Sequence, residues 1–263
     1  VFDTNEDIFK TIYSNYTSRK NYKMNLLYLN MSINFKNEDC EIINMNEIVH
    51  LFKVRKSKNR VLRLEKVYYD LEYYKALNIN NFNKDSYSIQ VSCNNNTYAL
   101  PSEVHFTRNS FFDLHEIHDF FKNKKKYKYN ISENEEYYLI EYVYKPNFSS
   151  LNYKITLTVD KELKSIVSFN KTLINKKNNI VNVGLTNTKI IQSFKFNKYD
   201  EAFIFKKNKD DVLDFVSQNI RIEYDLLKKK GIERKFQYNA VIEPTPSVKF
   251  NKNDLIDLID LLY

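Results

Sequence analysis

Glycine is almost missing from this chain of 263 residues, with only Gly184 and Gly231 present and far apart. No glycine-rich phosphate loop can be built from them, which excludes Rossmann and P-loop nucleotide chemistry. The same scarcity removes the G-x-S-x-G nucleophile elbow of the α/β-hydrolases. Tryptophan is absent, and the four prolines form no Pro-, Gly- or Ser-rich linker that would divide the chain. The two cysteines, Cys40 and Cys93, are too few and too separated for a cysteine metal site. A disulfide in an exported chain and a pair of buried thiols both fit them. No apolar run is long enough to cross a membrane as a helix. No signal peptide is visible, and the abrupt start VFDTNEDIF reads as a trimmed start or as a mature chain whose leader has been removed.

Aromatic residues are plentiful, with Tyr 21 and Phe 19, and the hydrophobic fraction of 43% is that of a folded protein. Tyr and Phe suit half-buried sheet surfaces. An AT-rich coding bias would by itself produce abundant Asn and Lys, so their number says little about function. The net charge of +8 favours anionic partners. The basic residues are scattered, however, with short runs at Lys53–Arg60, Lys122–Lys128 (KNKKKYK) and Lys228–Lys230. Such runs are commonly solvated loops. The interleaved KKKYKYN resembles the Tyr/Lys pattern of single-strand nucleic-acid binders, but it arises easily by chance here, and no nucleic-acid partner is expected.

The strongest pattern is the stretch from Lys126 to Asn170. Tyr127, Tyr129 and Ile131 alternate with polar residues; Tyr138, Ile140, Tyr142 and Tyr144 follow, then Tyr153, Ile155, Leu157 and Val159. Ile166, Ser168 and Asn170 then oppose Val167 and Phe169. Period-two alternation between turn signals predicts a four-strand antiparallel meander.

Upstream, capping and acidic residues before Ile8, Phe9, Ile12 and Tyr16 predict a helix over 4–16. Tyr22–Phe35 alternates with a frame change at Leu26-Leu27, and Glu41–Val54 reads as a second long strand. Val61–Tyr74 fits strand and helix alike. Leu77–Ser110 reads as a surface excursion around one strand, Ser86–Cys93, and 111–123 as a short helix. Lys189–Phe196 and Ala202–Lys206 suggest a hairpin across NKYDE, and Asp210–Ser217 a turn of helix. Ile220–Leu227 and Lys235–Glu243 pair around a turn at Gly231. The tail 253–263 has the broad apolar stripe of an amphipathic helix. No repeat stands out, and one domain over 1–263 is expected.

Candidate chemistry is thin. His115 and His118, with Asp113, Glu116 and Asp119, are the most metal-like cluster, but the spacing is not H-E-x-x-H and no further ligand is nominated, so no metal site and no cofactor are expected. His50 and His105 are isolated. The acidic run Glu133–Glu136 falls at a hairpin tip, where solvation prevents the raised pKa that acid–base catalysis requires. No catalytic residues are nominated, and a non-enzyme is expected.

The order of elements resembles the LolA/LolB-like domain of the bacterial envelope, as in Bacteroidetes proteins with a carboxypeptidase-regulatory-like domain upstream. The likeness rests on YYLIEYVYKP (residues 137–146), ITLTVD (155–160), SIVSF (165–169) and the later FKFNKYDEAFIFKK. The chain lacks the glycine that usually precedes the Ile-Asp strand and has Asn152 there; the upstream domain is also missing. The resemblance implies an α+β, β-rich fold: a curved antiparallel sheet, an incomplete barrel, packed with a few short helices. It implies a periplasmic or outer-membrane-associated, exported protein binding a lipid, a lipoprotein or another envelope protein. The apolar concave face would then carry the ligand, with Leu29, Met31, Ile33, Ile140, Tyr142, Ile155 and Leu157 as candidate lining. If the helices 4–16, 111–123 and 253–263 cover that face fully, the alternative is an interaction or structural module without a cavity. A hydrolase ranks third.

Overall fold

A computed structural model of the chain describes residues 3–22, 27–39, 41–51, 55–56, 62–63, 89–93, 96–100, 111–144, 151–174, 179–184, 191–228 and 231–244. Most of Val61–Tyr74, the tail 253–263 and Cys40 lie outside these residues. Helix α1 spans Asp3–Ser18. Phe9, Ile12 and Tyr16 recur at helical spacing and are buried. Helix α2 spans His115–Lys122 and buries Ile117, Phe120 and Phe121. The sequence predicts one helix over 111–123, but Phe111–Asp113 forms a separate 3-10 turn and Leu114 is extended at φ −64°, ψ 109°. That break lets Phe111, Phe112 and Leu114 all turn inward, which a continuous helix of that length would not allow.

The sheet begins with β1 (Leu27–Asn37) and β2 (Glu41–Leu51). Two small hairpins follow, β3–β4 (Arg55–Lys56, Leu62–Arg63) and β5–β6 (Ile89–Cys93, Asn96–Leu100). The sequence reading missed β6, whose Tyr98 is buried with its ring 5.3 Å from Phe236. The meander is present as β7 (Tyr127–Glu133), β8 (Tyr137–Tyr144), β9 (Tyr153–Asp160) and β10 (Ser165–Leu173). β11 (Ile180–Gly184), β12 (Ile191–Lys207), β13 (Leu213–Lys228) and β14 (Gly231–Pro244) complete the described strands.

Ten of the strands form one antiparallel sheet in the order β2-β1-β14-β13-β12-β10-β9-β8-β7, with β11 also against β12. The path has two ends and does not close on itself. The expected α+β, β-rich architecture is therefore present: among the described residues, an open antiparallel sheet with two short helices.

Two bulges and one tight turn account for three local differences from the sequence reading. In β10 the register against β9 slips between Ile166 and Ser168, so Val167 is the extra residue. Ile166 and Phe169 are consequently buried together, not opposed. In β12 the register against β13 slips between Phe196 and Lys198. The apolar phase shifts by one there, and the chain continues straight through NKYDE as a strand of 17 residues with no hairpin. The extra residue Asn197 keeps Phe194, Phe196, Tyr199, Phe203 and Phe205 all buried. Asp210–Ser217 is not helical either. Asn208 N–H donates to Val212 O at 2.9 Å and Asp211 sits at φ 57°, a tight turn that starts β13 at Leu213. The frame change near Leu26 lies outside the described residues; on either side of it, Tyr22 bridges Leu213 in isolation and β1 spans Leu27–Asn37.

One face of the sheet carries the aromatic core in two groups. Under the helices, Phe120 stacks on Tyr142 with ring centroids 4.0 Å apart, and Phe9 meets Phe120 and Phe121 edge-on at 6.0 and 5.8 Å. Beyond β12, Tyr224 stacks on Phe236 at 5.0 Å and Phe35 on Phe236 at 6.0 Å. Polar anchors fix the end of α1: Asn15 Nδ2 donates to Leu163 O and Lys164 O at 3.0 and 3.1 Å, and Tyr22 O–H donates to Ile166 O at 2.9 Å. Truncating Phe120 to Ala removes the centre of the first group and should cost about 3–5 kcal/mol in urea unfolding. Ile191, 69% exposed, should tolerate Ser within about 0.5 kcal/mol in the same measurement.

Candidate functional site

The phase set by the bulge in β12 brings charged groups onto an otherwise apolar face. Lys171 follows Phe169 by two residues in β10 and lies opposite Glu201 of β12. Both are buried, Glu201 at 1% exposure. Lys171 Nζ lies 2.5 Å from Oε1 of Glu116, which α2 projects down from above the sheet. The ammonium also sits 4.3 Å from the Tyr153 ring centroid and 5.0 Å from that of Tyr199. A cation held between ring faces gains from their quadrupoles, and more so once desolvated.

Glu201 is held by neutral donors. Tyr199 O–H donates to its Oε2 at 3.0 Å, and Gln218 Nε2 donates to its Oε1 at 3.1 Å. Tyr142 O–H donates to the backbone oxygen of Glu116 at 3.3 Å, tying the helix to β8. The Lys171 ammonium is thus paired with Glu116, and its charge acts on Glu201 at longer range.

The two acids titrate apart. Burial opposes the charge on Glu116, but the adjacent Lys171 ammonium outweighs it and holds the carboxyl below the usual range. Burial dominates at Glu201 and raises its pKa, with the Glu116 charge adding to the rise and Lys171 and Tyr199 offsetting only part of it. Carboxylates pushed apart in this way are the pattern of an acid–base pair. Access is what is missing: Lys171 and Glu201 are both buried, and only Glu116 is partly open. The arrangement works as a clamp between α2 and the sheet.

The other sequence candidates fall elsewhere. Both ring nitrogens of His118 are engaged, Nδ1 with Tyr13 Oη at 3.0 Å and Nε2 with Phe112 O at 2.9 Å, so this side chain positions the α1–α2 pair. His115 is exposed. Among the described residues no three His, Cys, Asp or Glu side chains converge as metal ligands would. The acidic run 133–136 is the β7–β8 turn, where Asn134 Oδ1 accepts from the Glu136 and Tyr137 amides at 3.0 and 2.7 Å.

Of the candidate lining, Ile140, Tyr142, Ile155 and Leu157 come together and are buried beneath α1 and α2. Ile33 is buried on the same sheet but in β1, with β14, β13, β12, β10 and β9 between it and β8. Leu29 and Met31 share that strand, and their side chains lie outside those described.

Sequence reasoning missed Glu116, Lys171, Tyr199, Glu201 and Gln218 as a group. The signal was Lys171 in phase with Phe169 and Glu201 in phase with Phe203, charged residues on an apolar period. It was hidden because the segment holding Glu201 reads as a turn.

Compared with known proteins, the chain matches no family model, no curated protein and no solved structure. The likeness to the LolA/LolB-like domain rests on the strand pattern alone.

Linkage gives the clamp a pH signature. Glu116, with its folded pKa depressed, contributes stability that is present above its unfolded value and lost as pH falls through the folded value. Glu201, with its folded pKa raised, works in the opposite sense: between the two values, stability rises as pH falls. Lys171→Met leaves both acids without their cation and should cost about 3 kcal/mol at neutral pH in urea unfolding, the penalty shrinking as the acids are protonated. A penalty independent of pH would mean lost packing instead.

Proposed function

We propose that this chain is a non-catalytic binding protein of the cell envelope, an incomplete-barrel module that meets its partner at its surface and holds no guest in a standing cavity. The observation that carries this reading is the Phe120–Tyr142 stack at 4.0 Å. It sits in the middle of the face that the family resemblance would give to a ligand. There, Phe9, Ile12, Tyr16, Ile117 and Phe120 of the two helices already occupy the space above Ile140, Tyr142, Ile155 and Leu157. The envelope setting follows from the resemblance. The non-enzymatic reading is supported by the sealing of the most reactive cluster, Lys171 with Glu201.

A carrier of a lipid or lipoprotein is the second reading, and the slightness of the cover favours it. The six buried helix side chains, Phe9, Ile12, Tyr16, Ile117, Phe120 and Phe121, contribute about 12 kcal/mol of transfer free energy, at about 2 kcal/mol each. An acyl chain of about sixteen carbons entering in their place would bury about 12 kcal/mol, at about 0.8 kcal/mol per methylene. An exchange of helices for lipid is therefore close to balanced, and a guest would have to lift α1 and α2 to enter.

Native mass spectrometry of protein purified gently from its own host separates the two readings. The expected result is the bare protein mass, with no uptake of a fluorescent fatty acid. A reproducible extra mass that extracts into organic solvent would establish the carrier and replace the surface module.

A further inference from the structure

The run Lys122–Lys128 (KNKKKYK) is taken up by neither the core nor the clamp, and its folded geometry is informative. α2 ends at Lys122, a 3-10 turn occupies Lys124–Lys126, and β7 starts at Tyr127. Compressing the chain into a turn places five lysines at one corner of the molecule, on the sheet's terminal strand. Lys122, Lys125, Lys126 and Lys128 are exposed, and Lys124 lies half-buried with its Nζ 4.8 Å from the Phe9 ring centroid.

The carboxylate within the corner is already engaged. Tyr127 O–H donates to Asp119 Oδ2 at 2.6 Å, Asn123 Nδ2 donates to Oδ1 at 2.6 Å, and Lys126 Nζ stands 4.0 Å away. The acids of the β7–β8 turn lie at the far end of β7. Seven residues of strand put them about 20 Å away, more than twice the screening length of about 8 Å at physiological salt. The α2 end of the sheet edge is therefore positive, while at the other end Glu133 is paired with Lys161 at 2.6 Å.

The aromatic residues distinguish between the polyanions that fit such a corner. A single-strand nucleic-acid site needs successive exposed rings for stacking. Tyr127 offers none: it is buried, its ring meets Phe120 and Tyr142 edge-on at 5.5 Å, and its hydroxyl is held by Asp119. Tyr129 faces out at 47% exposure and rests beside Phe9 at 6.1 Å. One amphipathic ring amid lysines suits a headgroup layer, where Tyr is enriched at the interface.

We propose that the corner formed by Lys122, Lys124, Lys125, Lys126, Lys128 and Tyr129 docks this protein on an anionic phospholipid surface. The docking would bring α1 and α2 against the bilayer, since Phe9 and Phe120 lie directly beneath the corner. It extends the envelope reading by naming the surface on which the module works, and it holds whether or not a guest is carried.

Each basic residue near an anionic surface strengthens binding about fivefold. The test is co-sedimentation of the full chain with vesicles of phosphatidylcholine, with and without phosphatidylglycerol. Binding is expected only to the anionic vesicles and should fall with added salt. The triple variant Lys122→Glu, Lys125→Glu, Lys128→Glu should lose at least about 100-fold in affinity, with circular dichroism unchanged. A control triple, Lys36→Glu, Lys206→Glu, Lys209→Glu, changes the net charge equally at exposed sites away from the corner and should lose far less. Equal loss in both triples would mean general attraction of a basic protein and overturn the assignment. So would no binding to anionic vesicles, or corner-dependent binding of a single-stranded oligonucleotide in their place. Fatty-acid uptake, read separately, reports on the carrier question and is unaffected by this outcome.

Discussion

The structure depends on the continuity of β12. A strand of 17 residues is long for a globular protein, and this one serves two groups of packed rings at once. Its early half places Phe194 and Phe196 with Tyr224, while its later half places Phe203 and Phe205 with Phe111 and Phe169. A strand with strict alternation could not do so from this sequence, because the apolar residues change from even to odd positions at Asn197. The bulge absorbs that change. Without it one of the two groups would face solvent, and the loss of several buried rings would exceed the stability of an ordinary domain.

The same phase shift decides where the charges go. Tyr199, Glu201 and Phe203 follow the bulge on one face, so a carboxylate is carried into the core between aromatic residues. Burying that charge is unfavourable unless donors and a cation meet it. Gln218 from β13 and Tyr199 from β12 itself donate to it, the charge of Lys171 acts on it from the neighbouring strand, and Glu116, paired with that ammonium, brings α2 into the same group. A buried ion pair gives modest net stability, since desolvation offsets much of the attraction. Its value here is positional. α2 is short, has no side-chain N-cap hydrogen bond, and is held by ring packing and by this clamp.

Scarcity of glycine shapes the turns as well. Arg19, Lys164 and Asp211 adopt positive φ, a conformation that Gly would enter without steric cost. Local hydrogen bonds support the turn at Lys164: Asp160 Oδ1 accepts from the amides of Glu162 and Leu163 at 2.9 and 2.8 Å. The turn DKELK is thus stabilised by an aspartate acting on its own backbone.

Much of the fold is legible in the residues alone. The meander β7–β10, the α1 helix with Phe9, Ile12 and Tyr16 inward, and the β13–β14 pair follow from period, turn residues and propensity, which are local properties of the chain. Ile140, Tyr142, Ile155 and Leu157 were equally legible as one buried face, because alternation determines which residues share a face. What covers that face is not local. That α1 and α2 lie on it, that NKYDE runs through as strand, and that Lys171, Glu116 and Glu201 meet were decided only by the tertiary structure. The physical reason is that a bulge costs little by itself and is selected by packing on both sides of it. A charged residue, likewise, enters a core only when strands distant in sequence supply its partners.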